Sequence, residues 1–194
     1  MGARDQKKQQ TRDRLEHAAL DLFSSRGYDR TTVEDVASLA GVSARTAFRY
    51  FPAKADLVFA DSAGDRDALR TRLAAQDRSL PPFEAMRGAL VDFSEHLGTS
   101  ENAERSRVIA ANPSLAARSL AEREQWANVI AMELAARRGR QAPDGHDRLG
   151  GVLAVAILVA AVREWAADSA NGGSDGLRAA LDRMTSAAVE IVQR

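Results

Sequence analysis

Arginine and hydroxyl side chains are concentrated in one short segment of this chain. Residues 44–51 include Arg45, Thr46, Arg49 and Tyr50. A guanidinium group can donate two hydrogen bonds to the edge of a guanine, while hydroxyls and cations bind phosphate oxygens. The alternative is a solvated basic face on a small helical corner. We favour nucleic-acid recognition because helix caps and a turn glycine occur at the matching positions.

Two short helices are expected to position these side chains. Thr32 is placed to cap the first helix, and Asp35 three residues later completes a capping-box-like pair. Thr31 with Glu34 is the alternative one residue earlier. Gly41 then ends the helix, because glycine enters the left-handed conformation without strain.

The second helix is predicted over residues 44–51. Ser43 caps it and Pro52 ends it. Its expected inner side carries Ala47, Tyr50 and Phe51. Two short helices joined by about three residues that include a glycine are typical of a helix-turn-helix, which places its second helix in the DNA major groove.

Residues 11–57 resemble the DNA-binding domain of TetR-type transcriptional regulators. The matching residues are Gly27, Tyr28, Thr31, Thr32, Val33, Val36, Ala37, Ala40, Gly41, Val42, Ser43, Thr46, Phe48, Tyr50, Phe51, Lys54 and Leu57. Residues 43–54 are especially similar to the actinobacterial branch around mycofactocin-associated regulators. The resemblance covers the first third of the chain well and the remainder only in architecture.

The resemblance implies DNA contacts for specific residues. Phosphate contacts are expected for Thr32, Thr46, Tyr50 and Lys54. Base contacts are expected for Arg45 together with Ala44 and Arg49, directly after Ser43. For each of these, an ordinary surface position is the alternative.

Phe48 departs from the family pattern. Many members carry a tyrosine at this position, and its hydroxyl often contacts a phosphate. Phenylalanine has no hydroxyl, so we expect Phe48 to pack against protein or to contact a thymine methyl group.

The net charge of the chain is zero but unevenly distributed. Residues 1–56 contain ten Lys or Arg and eight Asp or Glu, a net charge of +2, which the remainder balances. The basic residues near the N-terminus are Arg4, Lys7, Lys8, Arg12 and Arg14, opposed only by Asp5 and Asp13. We expect either a disordered tail or an arm that orders on DNA phosphates or in the minor groove, with binding that weakens as salt rises.

Composition argues against several other classes of protein. Cysteine is absent, which excludes disulfides and a cysteine nucleophile, and the histidines at 17, 96 and 146 lie in separate segments without metal-ligand spacing. There is no glycine-rich phosphate loop and no hydrolase motif. Residues 149–162 are uncharged but too short to span a bilayer. We therefore expect a cytoplasmic, non-enzymatic protein without metal, cofactor or membrane.

The spacing of apolar residues, glycines and prolines predicts an all-α fold of about nine helices. The first is predicted over residues 9–26, and the fourth from residue 53 into the mid-seventies with a weak point at Gly64. Asn112 and Pro113 are expected to begin the seventh. The predicted domains are a helix-turn-helix domain with its basic arm at 1–53 and a ligand-binding and dimerisation domain at 54–194.

The last two helices are expected to form a four-helix dimer interface. The eighth is apolar nearly all round and the ninth carries one apolar stripe, so each needs cover. The residues assigned to the interface are Val152, Val155, Val159, Leu181, Met184 and Ala188. Packing within one subunit is the alternative. A homodimer suits a palindromic site, because two recognition helices about 34 Å apart contact two half-sites.

The middle helices are expected to hold a small-molecule pocket. The residues assigned to it are Phe83, Met86, Phe93, Arg107, Asn112, Trp126, Ile130 and Trp165. Aromatic and methionine side chains in several helices are the usual lining of an apolar cavity, although such stripes also form plain cores. The resemblance suggests an acyl-CoA-like or other amphipathic effector.

These observations predict a ligand-responsive transcriptional regulator, most often a repressor in this family. It would bind a palindromic double-stranded DNA operator as a homodimer. The alternative is a helical ligand-sequestering or architectural DNA-binding protein that does not regulate specific genes.

Overall fold

The protein is all-helical, as predicted. The computed structural model describes residues 2–168, 170 and 172–193, and these contain ten α-helices, one 3-10 turn and no strand. The helices are α1 (Ala3–Arg26), α2 (Val33–Leu39), α3 (Ala44–Tyr50), α4 (Lys54–Val58), α5 (Ser62–Ala75), α6 (Pro82–Leu97), α7 (Ser100–Ala111), α8 (Ala116–Arg137), α9 (Gly145–Ala167) and α10 (Gly173–Gln193). The 3-10 turn, Pro113–Leu115, lies between α7 and α8.

The helices form two compact units. The smaller unit runs to Asp61 and includes Val108–Ala116, and the larger unit comprises Ser62–Arg107 and the chain from Ala117 onward. The boundary predicted after residue 53 therefore falls inside the smaller unit. Leu57 and Val58 explain the difference, because both are buried in the core of that unit.

Helices α1 to α4 supply most of the core of the smaller unit. Leu15, Ala19 and Phe23 of α1 repeat at helical spacing and are buried together with Val36 of α2 and Phe51 after α3. Tyr28 packs against Phe23, with 5.0 Å between ring centroids. This core fixes the inner faces of α2 and α3.

The larger unit is a layered helical bundle. Its core includes Leu90 and Phe93 of α6 and Leu177 and Leu181 of α10, all with 1% or less of their surface exposed. Glycine permits α8 and α9 to cross closely: a Cβ at Gly151 of α9 would lie 2.2 Å from the carbonyl oxygen of Ala127 in α8.

Three predicted helix boundaries need correction. Helix α1 begins at Ala3, six residues before the prediction, so most of the basic arm is helical. The predicted fourth helix is two helices, α4 and α5, separated at residues 59–61, and Gly64 lies inside α5. Asn112 does not cap with its side chain, because its amide nitrogen donates to the carbonyl oxygen of Val108 at 2.6 Å.

Helix α9 is long and apolar enough to cross a membrane by composition alone. Core helices of globular proteins share that composition. Ala154, Ile157 and Ala161 of α9 are buried within the larger unit, which accounts for their apolar character.

Candidate nucleic-acid interface

The corner before α3 is formed by a complete helix cap and a glycine turn. The Thr32 backbone N–H and hydroxyl both donate to one Asp35 carboxylate oxygen, at 2.9 and 2.6 Å, and the Asp35 N–H donates back to the Thr32 hydroxyl at 3.1 Å. These hydrogen bonds lower the pKa of Asp35. Gly41 then adopts a φ of +67°, and the Val42 N–H donates to the carbonyl oxygen of Ala37 at 3.0 Å.

The cap prediction is confirmed for Thr32 with Asp35, rather than for Thr31 with Glu34. Thr31 is buried and donates its hydroxyl to the carbonyl oxygen of Gly27 at 3.0 Å. The hydroxyl proton of Thr32 is directed to Asp35, so a phosphate contact by this hydroxyl would compete with the cap.

Helix α3 presents its polar residues outward. The Ser43 hydroxyl caps it by accepting the Thr46 N–H at 3.2 Å, and the two hydroxyl oxygens lie 2.9 Å apart. Ala47 is fully buried on the inner face. Arg45 and Arg49 are exposed, as is Phe48, while Ala44, Thr46 and Tyr50 are half-buried. The predicted base-contacting side chain, Arg45, is thus accessible to a partner.

A basic cleft lies between the first turns of α1 and helix α3. It has a volume of about 860 Å³ and is lined by Asp5, Lys7, Lys8, Thr11, Arg14, Val42, Thr46, Arg49 and Tyr50. Four of these side chains are cationic and one is anionic. The guanidinium carbon of Arg49 lies 5.4 Å from the centre of the Tyr50 ring, an arrangement that orients both side chains. Such a cleft suits a polyanion.

Arg12 does not belong to this basic surface. Its guanidinium donates to the carbonyl oxygen of Ala60, pairs with Glu16 at 2.9 Å and lies 4.9 Å from the Phe51 ring centre. Sequence inspection grouped Arg12 with the DNA-facing arm, but the structure uses it to join α1 to the end of α4.

Lys54 also has a structural role. Its ammonium donates to the carbonyl oxygens of Tyr28 and Thr31, at 2.9 and 3.1 Å, and lies 4.2 Å from the centre of the Tyr28 ring. Two of the three donors of the ammonium are thereby occupied within the protein. Lys54 therefore fastens the start of α4 to the turn before α2, and its phosphate contact stays a prediction.

The predicted ligand residues separate into different environments. Phe93, Ile130 and Trp165 are buried core side chains, and Trp126 packs against them with its ring 5.8 Å from that of Phe93. The indole nitrogen of Trp165 is buried without a hydrogen-bond partner among the residues the structure describes.

Phe83 and Met86 instead line an apolar cleft of about 400 Å³ between the start of α6 and helices α8 and α9. The two predicted polar anchors are engaged elsewhere. Arg107 donates to the carbonyl oxygen of Ala166 at 2.8 Å, and Asn112 belongs to the smaller unit. The predicted set therefore does not line one cavity.

The predicted dimer residues also separate. Leu181, with 0% exposure, lies in the core of its own unit, so its assignment to an interface needs correction. Met184 and Ala188 pack against the same core. Val152, Val155 and Val159 line an apolar groove of about 750 Å³ between α8 and α9, although Val155 is only 6% exposed. Helical periodicity detected an apolar α10 stripe but not which way it faces.

A buried polar network joins α5 to α8. The carboxylate of Glu122, 6% exposed, accepts hydrogen bonds from Ser62 at 2.5 Å and from Arg66 at 2.7 Å, and pairs with Arg118 at 3.1 Å. The Trp126 indole nitrogen donates to the same Ser62 hydroxyl at 3.4 Å. This network leaves almost no signature in the sequence, because only the Arg118–Glu122 pair has a recognisable spacing.

Two segments of the chain match family models of known proteins. Residues 16–60 match the family model described as bacterial regulatory proteins of the tetR family, and residues 80–188 match the MftR C-terminal domain. The regulator TcmR of Streptomyces glaucescens is 32% identical, over 84% of this chain and 76% of its own length. The mycofactocin biosynthesis regulator MftR of Mycobacterium tuberculosis is 28% identical, over 87% of this chain and 86% of its own length.

Solved structures share the fold. Thermus thermophilus FadR, a repressor determined in complex with lauroyl-CoA, is 25% identical with a TM-score of 0.56 and covers 89% of this chain and 90% of its own. NalD of Pseudomonas aeruginosa is 19% identical with a TM-score of 0.62, covering 92% and 95%. The relatives matched in sequence are transcriptional regulators rather than enzymes. The chain belongs to the TetR family of transcriptional regulators, with a DNA-binding N-terminal unit and a ligand-binding C-terminal domain of the MftR type.

Proposed function

We propose that this protein is a cytoplasmic repressor that binds a palindromic operator as a homodimer and releases it when an amphipathic effector binds. The observation that carries the proposal is the outward face of α3, where Arg45 is exposed on the same short helix whose Thr46 and Arg49 line the basic cleft. The guanidinium would contact a guanine edge, and the cleft cations would contact phosphates. The base contact would give a sequence preference, and the phosphate contacts would make binding depend on salt concentration.

Selection of bound sequences from a random DNA pool tests the proposal. We expect a palindromic consensus with a guanine in each half-site. Arg45→Ala should relax that one position and cost about 1–3 kcal/mol per half-site. Salt-sensitive enrichment without a consensus would instead support the architectural alternative.

The homodimer is proposed to form through the outer face of α8 and α9. Leu120 of α8 and Val152 of α9 line the groove there and are 67% and 58% exposed, so together they present an apolar patch that a partner could cover. Arg123 and Arg163 lie at the same groove, and burial together with the positive charge of Arg163 lowers the pKa of Arg123. A second copy would cover the apolar surface and bring its own carboxylates to these arginines.

Val152→Lys tests this surface by adding a fourth cation to a groove that Arg123, Arg148 and Arg163 already line. We expect sedimentation equilibrium to show monomers and operator binding to fall with the loss of the paired half-site contact. Leu80→Lys, at an exposed apolar position outside the groove, is the matched control and should remain dimeric. A dimeric Val152→Lys protein would place the interface elsewhere.

The effector is proposed to act through the Glu122 network. Trp126 packs against Phe93 in the larger unit, and its indole N–H donates to Ser62, the first residue of α5. A ligand that displaces the Trp126 ring would break this hydrogen bond and alter the start of α5, which directly follows the smaller unit in sequence. Tenfold release of DNA requires only about 1.4 kcal/mol of differential affinity between the two states.

Lauroyl-CoA is the first probe, since the FadR relative was solved with it. We expect it to raise the melting temperature of the wild type and weaken operator binding. Trp126→Phe keeps the aromatic ring but removes the N–H, so lauroyl-CoA should still bind while its effect on DNA affinity shrinks. An absence of any thermal shift would reject this ligand class.

A further inference from the structure

Phe48 is the one phenylalanine of this chain whose ring is exposed within the described residues. Its ring is 42% exposed on the outer face of α3, whereas Phe23, Phe51 and Phe93 are at most 3% exposed. Within the part of the chain that the structure describes, Phe48 joins neither the core of the smaller unit nor an aromatic pair. Among the described residues, neither a core position nor an aromatic contact accounts for this side chain, and its exposed part is accessible to a partner.

The surroundings of Phe48 are those of a base-reading side chain. Arg45 lies three residues earlier on the same helical face and is also exposed. Three residues of α-helix rise about 4.5 Å, close to the roughly 3.4 Å step between base pairs. A phenyl ring has no hydrogen-bonding atom, and the apolar feature of the major groove is the thymine C5 methyl group.

We propose that Phe48 is a specificity-determining residue that contacts a thymine methyl group next to the guanine contacted by Arg45. The inference rests on the proposed operator binding and adds one base to its predicted half-site. A contact with the methyl group would lower the affinity for cytosine at that position. It would also lower the affinity for uracil, which pairs like thymine but lacks the methyl group.

Uracil substitution isolates this contact. Each thymine of the selected operator is replaced by deoxyuridine in turn, and binding is measured by fluorescence anisotropy with full-length protein. We expect operator affinity to fall about fourfold when one thymine in one half-site is replaced. The fall should be about fifteenfold when both half-sites are changed, because each replacement removes one buried methyl group. The other thymines should be insensitive.

Variants assign the effect to the ring. Phe48→Ala should bind thymine and uracil operators equally, and Phe48→Tyr, which keeps the ring, should retain the discrimination. Leu39→Ala removes the other large apolar side chain that is exposed in the described part of the smaller unit, and it should behave as wild type. Phe48 lies outside the core, so circular dichroism should show unchanged melting for its alanine variant.

Operator recognition and the methyl contact of Phe48 can be rejected separately. If the random-pool selection yields no consensus, operator recognition itself is rejected. If a consensus appears but uracil substitution leaves wild-type affinity unchanged, or if Phe48→Ala still discriminates, only the methyl contact is overturned.

Discussion

Replacing Lys54 with methionine separates a structural role from a DNA contact. The methionine keeps an apolar stem but removes the ammonium that donates to the carbonyl oxygens of Tyr28 and Thr31. The Tyr28 carbonyl keeps a second hydrogen bond, from the Thr31 N–H at 3.2 Å. The substitution therefore removes two charge-assisted bonds and one cation–π contact while sparing the rest of the turn.

The size of the effect follows from those contacts. Hydrogen bonds to a charged group are worth about 1.5–3 kcal/mol each, and a half-exposed lysine recovers part of this from water. A net loss of about 2–4 kcal/mol is expected, and each kcal/mol lowers the melting temperature of a chain this long by about 2–4 °C. Lys54→Met should thus melt roughly 5–15 °C below the wild type.

Circular dichroism melting and the salt dependence of operator affinity together test this assignment. Lys7→Met, in the basic cleft, is the matched control: it should melt normally but lower the slope of log affinity against log salt by about 2, because the dimer loses two phosphate contacts. Lys54→Met, measured well below its melting temperature, should keep the wild-type slope. Normal melting with a reduced slope would refute the structural role and restore the phosphate contact.

Two further substitutions test the Thr32–Asp35 cap of α2 and the close crossing of α8 and α9. The folded-state pKa of Asp35 is lowered, so its contribution to stability is present above the unfolded-state pKa of about 3.9 and is lost as pH falls through the folded-state pKa. Asp35→Asn should flatten the fall in melting temperature between pH 5 and pH 3, and an unchanged pH profile would contradict the cap. Gly151→Ala should destabilise by about 1–3 kcal/mol in urea titrations, since its Cβ would meet the Ala127 carbonyl. Gly145→Ala, with open space at its Cβ, is the control and should be neutral or stabilising.

The sequence predicted the smaller unit well because its signals are local. Thr32 with Asp35, Gly41 and Ser43 act over three or four residues, and the observed corner reproduces each of them. Helix existence and the all-α class follow from apolar spacing in the same way. What it could not predict was long-range pairing: the contacts of Lys54 with Tyr28 and Thr31 span more than twenty residues.

Long-range contacts limited the prediction of the larger unit even more. Apolar spacing identified the α9 and α10 stripes, but not that Leu181 faces its own core while Leu120, on α8, is exposed. The Glu122 carboxylate is held by Ser62 and Arg66, sixty and fifty-six positions away, so no periodicity could reveal it. What covers an apolar helix face depends on tertiary packing, and the residue pattern within one helix does not contain that information.

Helix α3 divides its two faces between stability and recognition. A seven-residue helix is marginal alone, so its order must come from the Ser43 cap and from the buried side of Ala47, with Phe51 buried just beyond its end. Within the described residues, the outward side chains of Arg45 and Phe48 belong neither to this cap nor to the core of the smaller unit. Substitutions there can change which bases are contacted without unfolding the corner. Operator preference can therefore differ between proteins with this fold while the capped scaffold stays the same.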